Sequence, residues 1–190
     1  VIALSPFWFE FFQQYLSAEK IALVETGIRT ADYLNRVNEA APFPSIVFIG
    51  EVCKRKGIYD LLPALAELAK TIPDIRLIVV GPGEVEEAAG LAQRLGVATQ
   101  VEFVGPRYGM EKLAYLQQAW CFCLPSYAEV FPVVILEAMA CGLPVVSTFT
   151  GGVPDAVQDG RNGLLVPAGD RPALTDRKST RLNSSHRLTS

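Results

Sequence analysis

The chain has 190 residues, half of them hydrophobic, and a formal net charge of −3. That is enough for one α/β domain with a real core and too few for two full domains. The acidic balance argues against broad nucleic-acid binding, no apolar run reaches ~18 residues, so no membrane span is expected, and the start at Val1 lacks a basic n-region, so no signal peptide is expected. In chain order, residues 1–5 read as the end of a buried strand. Residues 6–16 are rich in aromatics, and Phe7, Phe11 and Tyr15 fall at i, i+4 and i+8 on one helical face. Such a face packs against a neighbouring domain or, in a second reading, touches a membrane surface.

From residue 45 the chain alternates strand and helix. A strand over 45–50 precedes a helix whose face is Ile58, Leu61, Leu62, Leu65, Leu68 and Ile72. Pro63 conflicts with that helix, because an interior proline removes a hydrogen bond and clashes one turn back. The helix should therefore start late, near Asp60, or kink. A strand over 75–80 ends at Gly81-Pro82-Gly83, and a helix over 84–95 has acids in its first turn and Gly96 as C-cap. Then come a strand over 101–104, a helix over 110–119, a strand over 120–124, a helix over 132–141 and strands over 144–148 and 163–166. Alternation with short connections predicts an α/β fold with a doubly wound, Rossmann-like parallel sheet. Ligands of such sheets bind outside the carboxyl ends of the strands. Glu51 and residues 81–83, 105–107 and 125–131 all follow strands and should converge on that edge.

The four cysteines, Cys53, Cys121, Cys123 and Cys141, form no Cys-x-x-Cys pair, and the one histidine is His186, so a zinc site is not expected. Cys121 and Cys123 alternate in an apolar run and read as small core hydrophobes in a reducing cytosol. Residues 176–190 show no apolar periodicity and are similar to one reading frame of a common short-read sequencing adapter, so they are set apart from the fold and His186 is given no role.

The segment from Glu129 to Val146 carries the chemistry. Glu129 lies in a loop before the predicted helix, and Glu137 lies inside it. With a helix start near Pro132, Glu137 stands about 7–8 Å further along the axis. Two acids then flank a helix N-terminus, where N–H groups and the macrodipole favour an anion. A ligand with hydroxyls at both ends and phosphate between them suits that layout, and a nucleotide sugar has that shape. On residues alone, Glu129 reads equally well as a helix cap, Glu137 as a partly exposed helical acid, and Lys56 as a solvated lysine.

A glutamate, seven residues, a second glutamate and then Ala138-Met139-Ala140-Cys141-Gly142-Leu143-Pro144-Val145-Val146 resembles the donor-binding motif of retaining, two-domain (GT-B) glycosyltransferases of family 4. Phe48-Ile49-Gly50 with Lys56-Gly57 resembles the family's first strand and phosphate-contacting lysine. Gly151 to Asp155, Asp159 to Val166 and Gly169-Asp170 resemble the tail of the same domain. The resemblance implies a nucleotide-sugar-binding domain over 45–175, preceded in 1–44 by the end of a first domain and the interdomain hinge. It assigns Glu129 to the donor-sugar hydroxyls as the catalytic candidate, Glu137 to the ribose hydroxyls and Lys56 to the diphosphate. The backbone N–H groups of Phe131 and Val133 should face the diphosphate or sugar, and Arg107 joins the donor-binding set.

Two positions depart from the family pattern: Glu51 stands where an arginine is usual, and Val130 where a glycine is usual. The chain has no Asp-x-Asp, so the leaving diphosphate needs protein cations and helix dipoles instead of a metal. The expectation is a metal-independent transferase without cofactor, taking a UDP-sugar or GDP-sugar donor to a glycan, lipid or small-molecule acceptor, with retention. Its expected place is cytoplasmic, with peripheral contact at the inner membrane face as a second reading. The fragment alone should be inactive. The alternatives are a non-catalytic nucleotide-binding module and a GT-B sugar-nucleotide epimerase.

Overall fold

A computed structural model of the chain describes residues 1–34 and 40–176. The adapter-like residues 177–190, with His186, lie outside the described residues. Six strands form one parallel sheet: β3 (Ser45–Ile49), β4 (Arg76–Val80), β5 (Val101–Gly105), β6 (Cys121–Leu124), β7 (Val145–Thr148) and β8 (Leu164–Val166). Their spatial order is β5-β4-β3-β6-β7-β8. The chain winds outward from β3 to β5, then returns to the other side of β3 with β6. The direction therefore reverses between β3 and β6, and the crevice at that point is where open parallel sheets bind ligands.

The sequence dictates this sheet through strands that are apolar on both faces. All residues of β3, β6, β7 and β8 are buried, as strands covered by helices on two sides must be. Cys121 and Cys123 are fully buried in β6, consistent with small core side chains. The covering helices are α3 (Ile58–Ala69), α4 (Val85–Arg94), α5 (Gly109–Gln118) and α6 (Val133–Ala140), the last three each within one residue of their expected bounds.

The helix α3 starts at Ile58, two residues before the late start expected near Asp60, and carries Pro63 inside it. Ile58, Leu61, Leu62, Leu65 and Leu68 are all buried on its core face. Each such side chain contributes about 1.5–3 kcal/mol on burial, against about 3 kcal/mol for one interior proline. The apolar face wins.

Before this sheet, β1 (Ile2–Ala3) and β2 (Ala22–Leu23) form a small parallel pair, with α1 (Pro6–Gln13) between them and α2 (Ala31–Leu34) after. No residue of α1 is buried. Phe7, Phe11 and Tyr15 are exposed, as the face of an unpartnered aromatic helix would be. Trp8 turns the other way: its indole N–H donates to the Val130 carbonyl at 2.6 Å. The Phe7 N–H donates to Asp155 Oδ2 at 3.0 Å, at the start of the short helix α7 (Val153–Ala156). Residues 1–34 therefore rest on the carboxyl edge of the sheet beside the β6–α6 loop.

Candidate functional site

The loop after β3 and the loop after β6 meet at the crossover. Gly57 makes this contact possible: its φ is +79°, and a Cβ there would stand 1.9 Å from the Pro125 carbonyl oxygen. Tyr127 N–H also donates to the Arg55 carbonyl at 2.8 Å, which ties one loop to the other. Across this junction Lys56 Nζ donates to Glu129 Oε1 at 2.7 Å, and Ser126 Oγ donates to the same oxygen at 2.6 Å. Glu129 is 8% exposed. The N-cap of α6 is Pro132, with no side-chain cap. Glu129 is thus a buried, lysine-paired acid and does not cap the helix; Lys56 is not a solvated surface charge.

Glu137 lies within α6 and is also buried. Lys112, on the first turn of α5, donates to its Oε1 at 2.7 Å and stands 2.7 Å from its Oε2. The Tyr33 hydroxyl, from α2, donates to Oε1 at 2.9 Å. Burial and this hydrogen bond push the Tyr33 phenol up to about 12. Oε2 has no well-directed hydrogen bond despite the nearby ammonium. It is a buried acceptor with lone pairs to offer, and an exposed helical acid would have no such arrangement.

Two neighbouring clefts open beside these pairs. One, of about 210 Å³, is lined by Gly50, Glu51, Gly81, Pro106, Arg107 and Lys112 among others. Arg107 is in this cleft, with one guanidinium N–H on the Pro106 carbonyl at 2.9 Å. A Cβ on Gly50 would lie 3.9 Å from Lys56 Cδ, so the Lys56 side chain runs close to Gly50, which lines this cleft. The other, of about 430 Å³, is lined by Phe7, Trp8, Arg55, Tyr127, Glu129 and Val130 among others. Glu129 thus lines the second cleft, and Glu137 meets the first through its partner Lys112. Glu51 is more than half exposed and pairs with Arg55 at 3.1 Å.

Phe131 and Val133 stand at the start of α6. The Phe131 ring packs toward Gly152 and Ser5 in a third cleft, so only its backbone amide is at the helix N-terminus. Val130 is 55% exposed, and among the described residues only glycines have positive φ, so a β-branched residue fits there without strain. Its carbonyl accepts from Trp8 and from Gly152 N–H at 3.1 Å. A Cβ on Gly151 would come 1.7 Å from the Glu129 carbonyl oxygen. The Gly151-Gly152 turn is therefore what lets the next segment lie directly on the Glu129 loop.

The profile of the family described as "Glycosyl transferases group 1" matches residues 43–183. The chain belongs to that family. Among curated group 1 relatives, a D-inositol 3-phosphate glycosyltransferase of Corynebacterium jeikeium is 42% identical over 133 residues, 66% of this chain and 32% of that protein. The chain spans about a third of that relative's length. Solved structures agree on the GT-B fold. Sucrose-phosphate synthase from Thermosynechococcus elongatus superposes with a TM-score of 0.84 at 30% identity, over 98% of this chain and 49% of that one. Anabaena HepE, solved in complex with UDP and glucose, superposes with a TM-score of 0.83 at 26% identity, over 98% of this chain and 54% of that one.

Within this group 1 domain, four contributors were not expected from the sequence. Lys112 and Tyr33 pair with Glu137 and lie far from it along the chain. Ser126, three residues before Glu129, was open to notice as a nearby hydroxyl. Asp60, 6% exposed, accepts from the Tyr127 hydroxyl at 2.7 Å and from Arg171 Nε at 2.7 Å. It fastens the Glu129 loop to the first turn of α3, just beyond Lys56. The hydrogen bond to Asp60 is the main cause that raises the Tyr127 phenol pKa.

Proposed function

We propose that this chain is the donor-binding half of a family 4 enzyme that transfers a hexose from a UDP-sugar or GDP-sugar to a glycan, lipid or small-molecule acceptor. The observation that carries the reading is the arrangement of Glu129 and Glu137, each buried and each held by a lysine, around the start of α6 at the crossover of the sheet. Buried ion pairs add little net stability compared with packed apolar side chains, so a fold has small reason to keep two of them side by side. A donor supplies the reason. Ribose hydroxyls can donate to Glu137 Oε2, hydroxyls of the sugar to Glu129, and the diphosphate can lie between them over the α6 amides of Phe131 and Val133 and beside Lys56. UDP in the complex of the HepE relative supports the same class of ligand.

In the transfer, the bond from the anomeric carbon to the diphosphate oxygen breaks as the acceptor oxygen bonds to that carbon, and the acceptor's hydroxyl proton passes to the departing phosphate. Negative charge grows on the leaving phosphate. Lys56 and the helix N-terminus are the groups aligned to stabilise it. Retention of configuration and independence of a divalent cation belong to this reading; the absence of Asp-x-Asp and the lysines at the site support the second. A nucleotide-sugar donor and four cysteines without a disulfide fit a cytoplasmic location. Acceptor binding would fall to parts of a longer protein, so the chain by itself should bind donor and transfer little.

Calorimetric titration of the chain with UDP and GDP tests the donor site, and incubation of the longer protein with UDP- and GDP-sugars tests the reaction. Transfer to an acceptor or slow hydrolysis of the donor is expected. Inversion at a sugar carbon without transfer would identify an epimerase, and nucleotide binding with no turnover a binding module.

A further inference from the structure

We propose that Lys112 is a phosphate-binding residue of this site, its ammonium bridging the Glu137 carboxylate and the phosphate attached to the ribose. The inference rests on the donor reading above. Lys112 stands on the first turn of α5 and reaches Glu137 on α6, with both carboxylate oxygens within 2.7 Å. Its side chain is 24% exposed and lines the cleft with Gly50, Gly81 and Pro106. The lining holds two cations, Lys112 and Arg107, and Arg107 is turned back onto its own neighbour's carbonyl. The one acid on that lining, Glu51, has its charge offset by Arg55. Part of the wall is bare backbone, because Gly81 meets the Gly50 carbonyl so closely that a Cβ would be 1.9 Å from it.

The chemistry follows from counting donors and acceptors. An ammonium carries three N–H groups and accepts nothing. Lys112 donates to Glu137 Oε1, as Tyr33 also does, and its ammonium stands 2.7 Å from Oε2. Oε2 lacks a well-directed donor. When a ribose hydroxyl donates to Oε2, it completes that oxygen, and the ammonium keeps N–H groups beyond the one given to Oε1. An N–H in a partly buried cleft gains from an acceptor there, and the phosphate on the same ribose offers a strong one. A charge-assisted N–H to phosphate contact is shorter and stronger than a neutral one. Lys112 then recognises the ribose phosphate as a unit, whereas Lys56 lies on the Glu129 side of the site.

A purely structural Lys112 would only neutralise Glu137, and the two roles separate on the nucleoside. Wild type, K112M and K112R are titrated by NMR with uridine and UDP, and with guanosine and GDP in parallel, at low salt. For the base that wild type prefers, K112M should weaken the diphosphate by roughly tenfold more than the nucleoside, and K112R should stay within about threefold of wild type. An equal loss for nucleoside and diphosphate would overturn the proposal, since Lys112 would then merely hold Glu137. Unchanged diphosphate affinity would overturn it too. Wild type that binds neither UDP nor GDP would remove the donor reading itself, and this inference with it. Should K112M not fold, E137Q and the K112M/E137Q double variant replace it, because the double variant removes both charges together. A further loss for the diphosphate alone, from E137Q to the double variant, supports the bridge; no further loss overturns it.

Discussion

Glu51 places a negative charge on the wall of the cleft where a diphosphate would lie, and Glu51→Arg should therefore tighten UDP or GDP binding. The magnitude follows from exposure. The Glu51 side chain is 54% exposed and its partner Arg55 51%, so the surroundings are close to water. There, two unit charges about 4 Å apart interact by about 1 kcal/mol. Reversing the sign removes one such repulsion and adds one attraction, which gives about 2 kcal/mol at closest approach and less at greater distance. The ion pair to Arg55 is lost, but an exposed pair contributes only about 0–1 kcal/mol, and to stability, not affinity. A gain of about 1–2 kcal/mol corresponds to roughly five- to thirtyfold in Kd. It should fade toward 1 M salt, where the Debye length falls to about 3 Å. Isothermal titration of wild type, E51R and R55A at low and high salt reads these values. If instead Arg55 swings from Glu51 to the phosphate, R55A weakens binding and E51R leaves it unchanged. Equal affinity for all three proteins would refute the reasoning: this loop would not touch the diphosphate, and the place given to Lys56 would fall with it.

Glu137→Gln should weaken UDP or GDP by about 1.5–3 kcal/mol, the worth of a charge-assisted hydrogen bond to a hydroxyl; competition titration measures it, and unchanged affinity would mean the ribose lies elsewhere. Tyr33 and Tyr59 are each pushed up to about 12, first by burial and then by their hydrogen bonds to Glu137 and Glu84. Folding holds these phenols protonated above the pH of about 10 at which unfolded tyrosine ionises. The stability they add is whole below that pH and is lost as pH rises toward the folded values. Urea unfolding at stepped alkaline pH should show this fall, and Tyr33→Phe should lessen it; parallel curves for the two proteins would count against the Tyr33–Glu137 contact. Gly151→Ala should destabilise the domain by at least about 2 kcal/mol, because a Cβ 1.7 Å from the Glu129 carbonyl must push the loop away; thermal unfolding within a degree of wild type would contradict the close packing of the two segments.

The sheet was legible in the sequence because its strands are short, apolar on both faces and separated by helices with one apolar side. Both signals survive in local composition, and tertiary packing had little to overrule. Pro63 is the informative exception. A local rule expected a late start or a kink, while five buried apolar residues of α3 favour the helix from Ile58, and the sum of burial exceeded a single local cost. Glu129 and Glu137 could be singled out because both lie within one continuous stretch, where a loop, a helix start and a turn have fixed spacing; both are buried and lysine-paired.

The partners of Glu137 could not be found that way. Tyr33 and Lys112 reach it across separations of 104 and 25 residues, whereas Lys56, marked by its family-like motif, reaches Glu129 across 73. Lys112 in isolation is a lysine on an amphipathic helix, and nothing in its neighbours along the chain marks it as an ion-pair partner of a buried acid. What creates its role is topology: the crossover sets α5 beside α6, and burial of Glu137 then requires a positive charge within reach. The same logic softens the departure at Glu51. A cation missing from one loop can be supplied from another element that opens onto the same cleft, because a diphosphate responds to the summed field of nearby charges and not to the loop that carries them. Glu51→Arg and Lys112→Met therefore address one electrostatic question from opposite sides. If Lys112 already supplies the second cation, the benefit of E51R should be larger in a K112M background than in wild type, and a benefit of equal size in both would show that the two positions act on separate parts of the ligand.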